Sequence, residues 1–222
     1  MENNEEDQLK LNELDYFEAR GLDVLVFSNW YNGLFSDSKI SGIEIIHHEV
    51  RTATNGDVRL SPTPEQWDPI PEFVERKVDK GKESITAFLK YSKYDFYYSI
   101  NVEVHDNGLL ISVNLENPLP PELVNKAGFN LEFLPSAYFE KAFLMDNRSG
   151  IFPLYPGGPM EYDDSGVVQP KPLAIGKTLV LAPEDPLRRI YIKSTDNNLL
   201  LFDGRNKAQN GWFVVIGNVL PW

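Results

Sequence analysis

A chain of 222 residues, 42% hydrophobic and 24% charged, has a globular balance and room for one large domain or two small ones, which excludes wholesale disorder. A net charge of −12 repels phosphate backbones and anionic lipid, and no apolar run is longer than about five residues, so neither nucleic-acid binding nor a membrane span is expected. Cysteine is absent, which removes disulfides, thiolate nucleophiles and the common zinc sites.

Residues 1–14 read as a flexible acidic tether, because Glu2, Glu5, Glu6 and Asp7 cannot bury enough apolar area to offset the entropy of ordering. Asp15–Arg20 reads as a short turn. Strands follow at Val24–Phe27 and over Gly42–Val50, the latter one extended β-branched run. Asn55-Gly56, set between Val50–Thr54 and Asp57–Leu60, predicts a tight hairpin whose central residues need positive φ. A Pro-rich loop, Leu60–Pro71, carries Trp67. Ile85–Tyr91, Tyr97–Val104 and Leu109–Leu115 alternate apolar and polar residues, and the last two flank the turn His105-Asp106-Asn107-Gly108. Pro120–Lys126 predicts one helical turn with proline at its start. Phe129–Phe133, Thr178–Leu181, Ile190–Ser194, Leu199–Phe202 and Gly211–Ile216 supply further strands, with Asp196-Asn197-Asn198 as one turn among them. Between them Pro153–Pro172 forms a long irregular loop of the kind that is usually functional in a compact domain. Many short strands and almost no helix predict a single antiparallel β-sandwich over residues 15–222, with long Pro/Gly-rich loops.

The chemistry-bearing residues are sparse. His47 and His48 are adjacent, so on a strand they would face opposite ways, and His105 sits at a turn. No nucleophile elbow, P-loop or dinucleotide fingerprint is present, and no catalytic residue is nominated. With 33 acids in the chain, some carboxylates must fall near one another, so their abundance does not mark a glycosidase pair. The loop acids Asp163-Asp164 leave a structural calcium ion as the one metal to consider, without EF-hand spacing. Aromatic rings in loops are more informative. Trp30 and Tyr31 precede Asn32-Gly33, and Trp67 follows Gln66. A sugar ring can stack on such side chains while Asn32 and Gln66 bond its hydroxyls. Tyr155 and Tyr162 in the Pro153–Pro172 loop form a second candidate surface for a neutral glycan. The plainer role of the same rings is to plug the ends of the sandwich.

Several segments share a pattern with a known family. Tyr16–Val24 (YFEARGLDV), Thr54–Leu60 (TNGDVRL) with Pro62-Thr63-Pro64, and Gly128–Glu132 (GFNLE) carry it, as do Met145-Asp146 through Ser149–Pro153 and Asp203-Gly204-Arg205 through Asn210–Phe213. Together they resemble the N-terminal, non-catalytic region of Bacteroidetes-type glycoside hydrolase family 9 proteins, which are multidomain endoglucanases. The resemblance spans about residues 16–217. It implies a region that precedes an immunoglobulin-like module and an (α/α) barrel, in a protein that is exported to the cell surface and often lipid-anchored. It makes this chain an excised accessory region with Trp222 at a cut end. The barrel and its catalytic acids have no counterpart here. The expectations are therefore a carbohydrate-binding accessory module of a polysaccharide-degrading enzyme, a structural spacer packed on its catalytic domain, or a stand-alone carboxylate-dependent glycosidase.

Overall fold

The computed structural model describes residues 8–28, 42–61, 63, 68–206 and 212–218. In chain order these form β1 (Lys10–Leu11), β2 (Phe17–Ala19), β3 (Leu22–Val26), β4 (Ile43–His47), β5 (Val50–Arg59), β6 (Glu72–Asp79), β7 (Ser84–Tyr91), β8 (Phe96–His105), β9 (Gly108–Leu115) and β10 (Gly128–Phe133). A single α-turn, α1 (Pro135–Tyr138), leads to β11 (Ala142–Met145), β12 (Arg148–Ile151), β13 (Met160–Tyr162), β14 (Val168–Pro170) and β15 (Ala174–Gly176). The last strands are β16 (Thr178–Leu181), β17 (Ile190–Lys193), β18 (Leu199–Asp203) and β19 (Phe213–Asn218).

These strands make an all-β, antiparallel sandwich. Its large layer is a nine-stranded sheet in the order β1-β2-β3-β4-β5-β10-β19-β18-β15. Two four-stranded sheets, β6-β7-β8-β9 and β12-β11-β16-β17, form the other layer. Register shows that both pack on one face of the large sheet. Val58 lies opposite Phe129 and Ala53 opposite Phe133, so all four share a face. One core joins Phe17, Val24, Ile43 and Val58 to Ile85, Leu89, Tyr98 and Ile100 of the first small sheet. A second joins Leu131, Phe133, Phe213 and Leu201 to Phe143, Met145, Leu179 and Leu181 of the other. Phe129 touches both cores.

The alternating segments behave as their pattern predicts, and β7 pairs with β8 over its whole length. Three local expectations are corrected. Gly42–Val50 is not one strand: it breaks at His48-Glu49, where φ values of 46° and 65° build the two-residue turn between β4 and β5. Asn55-Gly56 is consequently not a hairpin tip but lies inside β5. Thr54 pairs with Glu132 and Asp57 with Asn130, so two residues face the single Leu131 in a β-bulge. Asn55 takes the left-handed conformation there, at φ 53°. Gly56 is needed for space rather than for φ, since a Cβ would lie 2.6 Å from the Ile43 Cβ. Asp15–Arg20 contributes strand β2, paired with β3 through Phe17 and Val24, because Phe17 is fully buried in the first core.

The His105–Gly108 turn forms between β8 and β9, with Asp106 at φ 50° and Gly108 as the first residue of β9, while Asn107 and Gly108 do not take the positive φ expected of them. Ordered structure begins before residue 15, since Leu9 is buried and β1 pairs with β2. The turn Asp196-Asn197-Asn198 joins strands that do not pair: β17 belongs to a small sheet and β18 to the large one.

Candidate functional site

Trp30, Tyr31, Asn32, Gln66 and Trp67 lie outside the described residues. Tyr155 and Tyr162 lie within them, on an arm that leaves β12 and returns at β15, and each is 77% exposed. The arm begins with Phe152, whose fully buried ring packs 4.5 Å from that of Phe213 and 5.1 Å from that of Phe143. Arg205 then holds its root. The guanidinium donates to the Pro153 carbonyl at 2.8 Å and the Leu154 carbonyl at 3.0 Å. The same group makes a bidentate pair with Asp203, both contacts at 2.8 Å, and stands over the Phe213 ring at 4.6 Å. Asn206 donates from Nδ2 to the Gly158 carbonyl at 3.2 Å, and a Cβ on Gly158 would crowd that amide.

Beyond the root, β13 and β14 pair as a two-stranded hairpin separate from the other sheets. Met160 lies opposite Pro170 and Tyr162 opposite Val168, so one face of the hairpin is apolar. Glu161 and Gln169 occupy the other, with Lys171 paired to Glu161. Asp163 closes the tip: Oδ1 accepts from the Ser165 hydroxyl and from the Ser165 and Val167 amides, and Oδ2 accepts from Gln169. These bonds, that of the Ser165 hydroxyl first, hold its carboxyl down at about 2. Both oxygens are thus engaged within the hairpin. Among the described residues no group of three or more His, Asp or Glu side chains could hold a metal ion.

The second concave feature was not legible in the sequence. A cleft of about 1840 Å³ runs between the two small sheets, where β9 and β17 face one another across the large sheet. Leu22, Val24, Ile43, Ile45, Phe129, Leu131 and Val215 form its floor. Leu109, Ile111, Val113 and Leu115 line one wall, and Ile190 and Ile192 the other. All six are half-buried, so the walls are aliphatic and only partly covered. His47 enters from the floor, and burial foremost, then the nearby Arg188, pushes its pKa down. Asp106 and Asp196 are the acids among the lining residues, and each sits in a turn of a different sheet.

The buried carboxylates of the large sheet are held by structural partners. Glu44 accepts from Thr54 at 3.0 Å and pairs with Arg51 at 3.2 Å. Glu132 accepts from Asn55 at 2.8 Å, and burial raises its pKa. Asp57 accepts from the Tyr98 hydroxyl at 2.8 Å and the Val58 amide at 2.7 Å, and burial pushes its carboxyl up to about 6. None of these lines the cleft. Among the described residues no helix is long and apolar enough to cross a membrane. No protein-family model, curated protein or solved structure matches the chain.

Proposed function

We propose that this chain is a non-catalytic accessory module of an exported, polysaccharide-degrading glycoside hydrolase, and that it touches a neutral glycan through the tyrosines of its arm. The observation that carries this reading is the arm itself. A segment clamped by Arg205 at its root and by Asp163 at its tip holds Tyr155 and Tyr162 out to solvent. Exposed rings on a rigid support offer stacking surface at little further entropic cost. The −12 charge favours neutral over anionic polysaccharides. The resemblance to the region preceding a family 9 catalytic barrel points the same way.

Hydrolysis is not proposed. A glycosidase needs two carboxyl groups facing one bond, about 5–9 Å apart, and the acids of the cleft stand in turns of separate sheets. The test is affinity electrophoresis through gels containing β-glucan, xyloglucan, mannan or xylan. The wild-type chain should be retarded by at least one of them, and Tyr155→Ala/Tyr162→Ala should run free. No retardation in any gel would favour the second reading, a spacer packed on a catalytic domain, for which the aliphatic cleft is the supporting observation.

A further inference from the structure

The cleft carries an inference that goes beyond glycan contact and stands independently of it. The sheet β6-β7-β8-β9 has two edges, and they are built differently. β6 carries Glu72, Glu75, Arg76, Lys77 and Asp79 and is broken by a register shift between Phe73 and Glu75. Charges and bulges of this kind keep an edge from pairing with foreign strands. β9 reads GLLISVNL: eight residues with no charge and no proline, and it pairs with β8 without a register shift. The other edge strands of the large and small sheets, β1, β15, β12 and β17, have only two to four residues. Among the described residues β9 is the one long edge without protection.

Its backbone is also aimed. The two-residue turn makes His105 and Gly108 a hydrogen-bonded pair, and such pairs alternate along an antiparallel ladder. Ser112 and Asn114 therefore bond back to β8, whereas Leu109, Ile111, Val113 and Leu115 turn their N–H and C=O groups to the free edge. The Val104 amide donates across to Glu83 on the β7 side, as this phase requires. The same four residues send their side chains into the cleft.

We propose that β9 accepts an added β-strand from a polypeptide partner, laid in the cleft between β9 and β17. The size fits one strand. Eight residues at about 3.4 Å each, 4.8 Å between strands and 10 Å between layers occupy about 1300 Å³, so a volume of about 1840 Å³ takes one strand and not two. The chemistry of the occupant follows from the walls. The apolar floor asks for alternating aliphatic side chains, and uncharged β9 asks for no charge opposite it. Arg189, which precedes β17, and Lys193, its last residue, are cations of the lining and complement acidic residues at the ends of the incoming segment. Of the two lining acids, Asp106 pairs with His105 and Asp196 accepts from the Thr195 hydroxyl beyond the end of β17.

The probe is a fluorescein-labelled, end-capped octapeptide that alternates valine and threonine and carries a glutamate at each end. Fluorescence anisotropy with the 222-residue chain should give saturable binding. Hydrogen exchange should slow at least tenfold at the amides of Leu109, Ile111, Val113 and Leu115, and not in β6. Val113→Pro removes an outward N–H that β8 does not use, so it should weaken binding at least tenfold while lowering the melting temperature no more than Val113→Ala does. Arg189→Glu/Lys193→Glu should weaken the glutamate-ended peptide and favour a lysine-ended one. Absence of binding by the wild type, or binding without protection of those four amides, overturns the proposal. So does concentration-dependent dimerisation that alone protects β9, which would make a second copy of the chain the occupant. The wild-type exchange experiment decides even if Val113→Pro fails to fold. Loss of glycan retardation leaves these readouts untouched.

Discussion

The arm and the cleft solve opposite problems. In the arm, polar bonds hold apolar side chains outward: Arg205 and Asp163 fix the course of a segment whose Leu154, Tyr155, Met160 and Tyr162 face solvent. In the cleft, apolar packing holds polar backbone outward, since β9 is secured through its core-facing side chains while one row of its amides has no strand to meet. Beyond the buried Phe152 at its root, the arm has little hydrophobic burial to hold it, because a two-stranded hairpin has no second layer of its own to bury against. The cleft could not be held by polar side chains without blocking its own edge. The contact site proposed in each is an exposed apolar surface, but the supporting interactions predict different sensitivities to mutation.

The largest effect is expected where the arm meets the core. Arg205 is 8% exposed and Asp203 is fully buried at the side-chain level. Arg205→Ala leaves that carboxylate uncompensated and releases two carbonyls. Urea denaturation should show a loss of about 3–5 kcal/mol, with new proteolytic cleavage inside the arm. A loss under about 1 kcal/mol would mean that the arm is held by Phe152 alone.

Next is a buried carboxylate of the large sheet, Asp57, which has hydrogen bonds but no bidentate cation. Its folded-state pKa of about 6 stands above the ordinary 3.8. Folding therefore takes up a proton, and the associated stability is present below about pH 4 and is lost as pH rises through 6. Relative to Asp57→Asn, the wild type should lose about 2–3 kcal/mol between pH 4 and pH 7. Parallel pH profiles for the two proteins would show that the Arg59 charge and the hydrogen bonds of Tyr98 and Val58 cancel desolvation and leave the Asp57 pKa unshifted.

The cleft wall itself should respond more gently. Ile111 is half-buried, so Ile111→Ala should cost about 1–2 kcal/mol rather than the 2–5 of a fully buried site. A larger loss in a thermal melt would mean that the cleft is closed in solution. Smallest of all are Tyr155→Ala and Tyr162→Ala, each within about 0.5 kcal/mol of wild-type stability because both residues are largely exposed. Glycan affinity should fall about tenfold for each, the equivalent of about 1.4 kcal/mol. A fall in melting temperature without a change in affinity would reassign these rings to structure.

Much of the fold was legible where the signal is local. The alternation in Ile85–Tyr91, Tyr97–Val104 and Leu109–Leu115 repeats every two residues, and the Asp106-Asn107 turn is chemically suited to close the last pair. The Pro153–Pro172 segment was readable as a special loop from its prolines and tyrosines, although the short β13–β14 pairing inside it was too brief to show a period. His48-Glu49 was not readable as a turn, since positive φ is uncommon for any residue but glycine and Glu is not among the types enriched there. Asn55-Gly56 suits a hairpin and a bulge equally, and the choice fell to Ile43 and Leu131, which crowd Gly56 from neighbouring strands. The charges of Glu72–Asp79 were a sign of a guarded edge, but only beside a bare edge do they acquire meaning.

By itself, then, the sequence determined the strands with a clear alternation, the antiparallel class and the acidity that disfavours anionic ligands, because each depends on neighbours in the chain or on composition alone. Tertiary structure decided which strand became an edge, which carboxylates were desolvated, and that residues as distant as Leu22, Ile111, Ile190 and Val215 line one cleft. Those outcomes depend on the order of strands within sheets and on how two small sheets divide one face of a large one. Such contacts join residues far apart in the chain, and no local period records them.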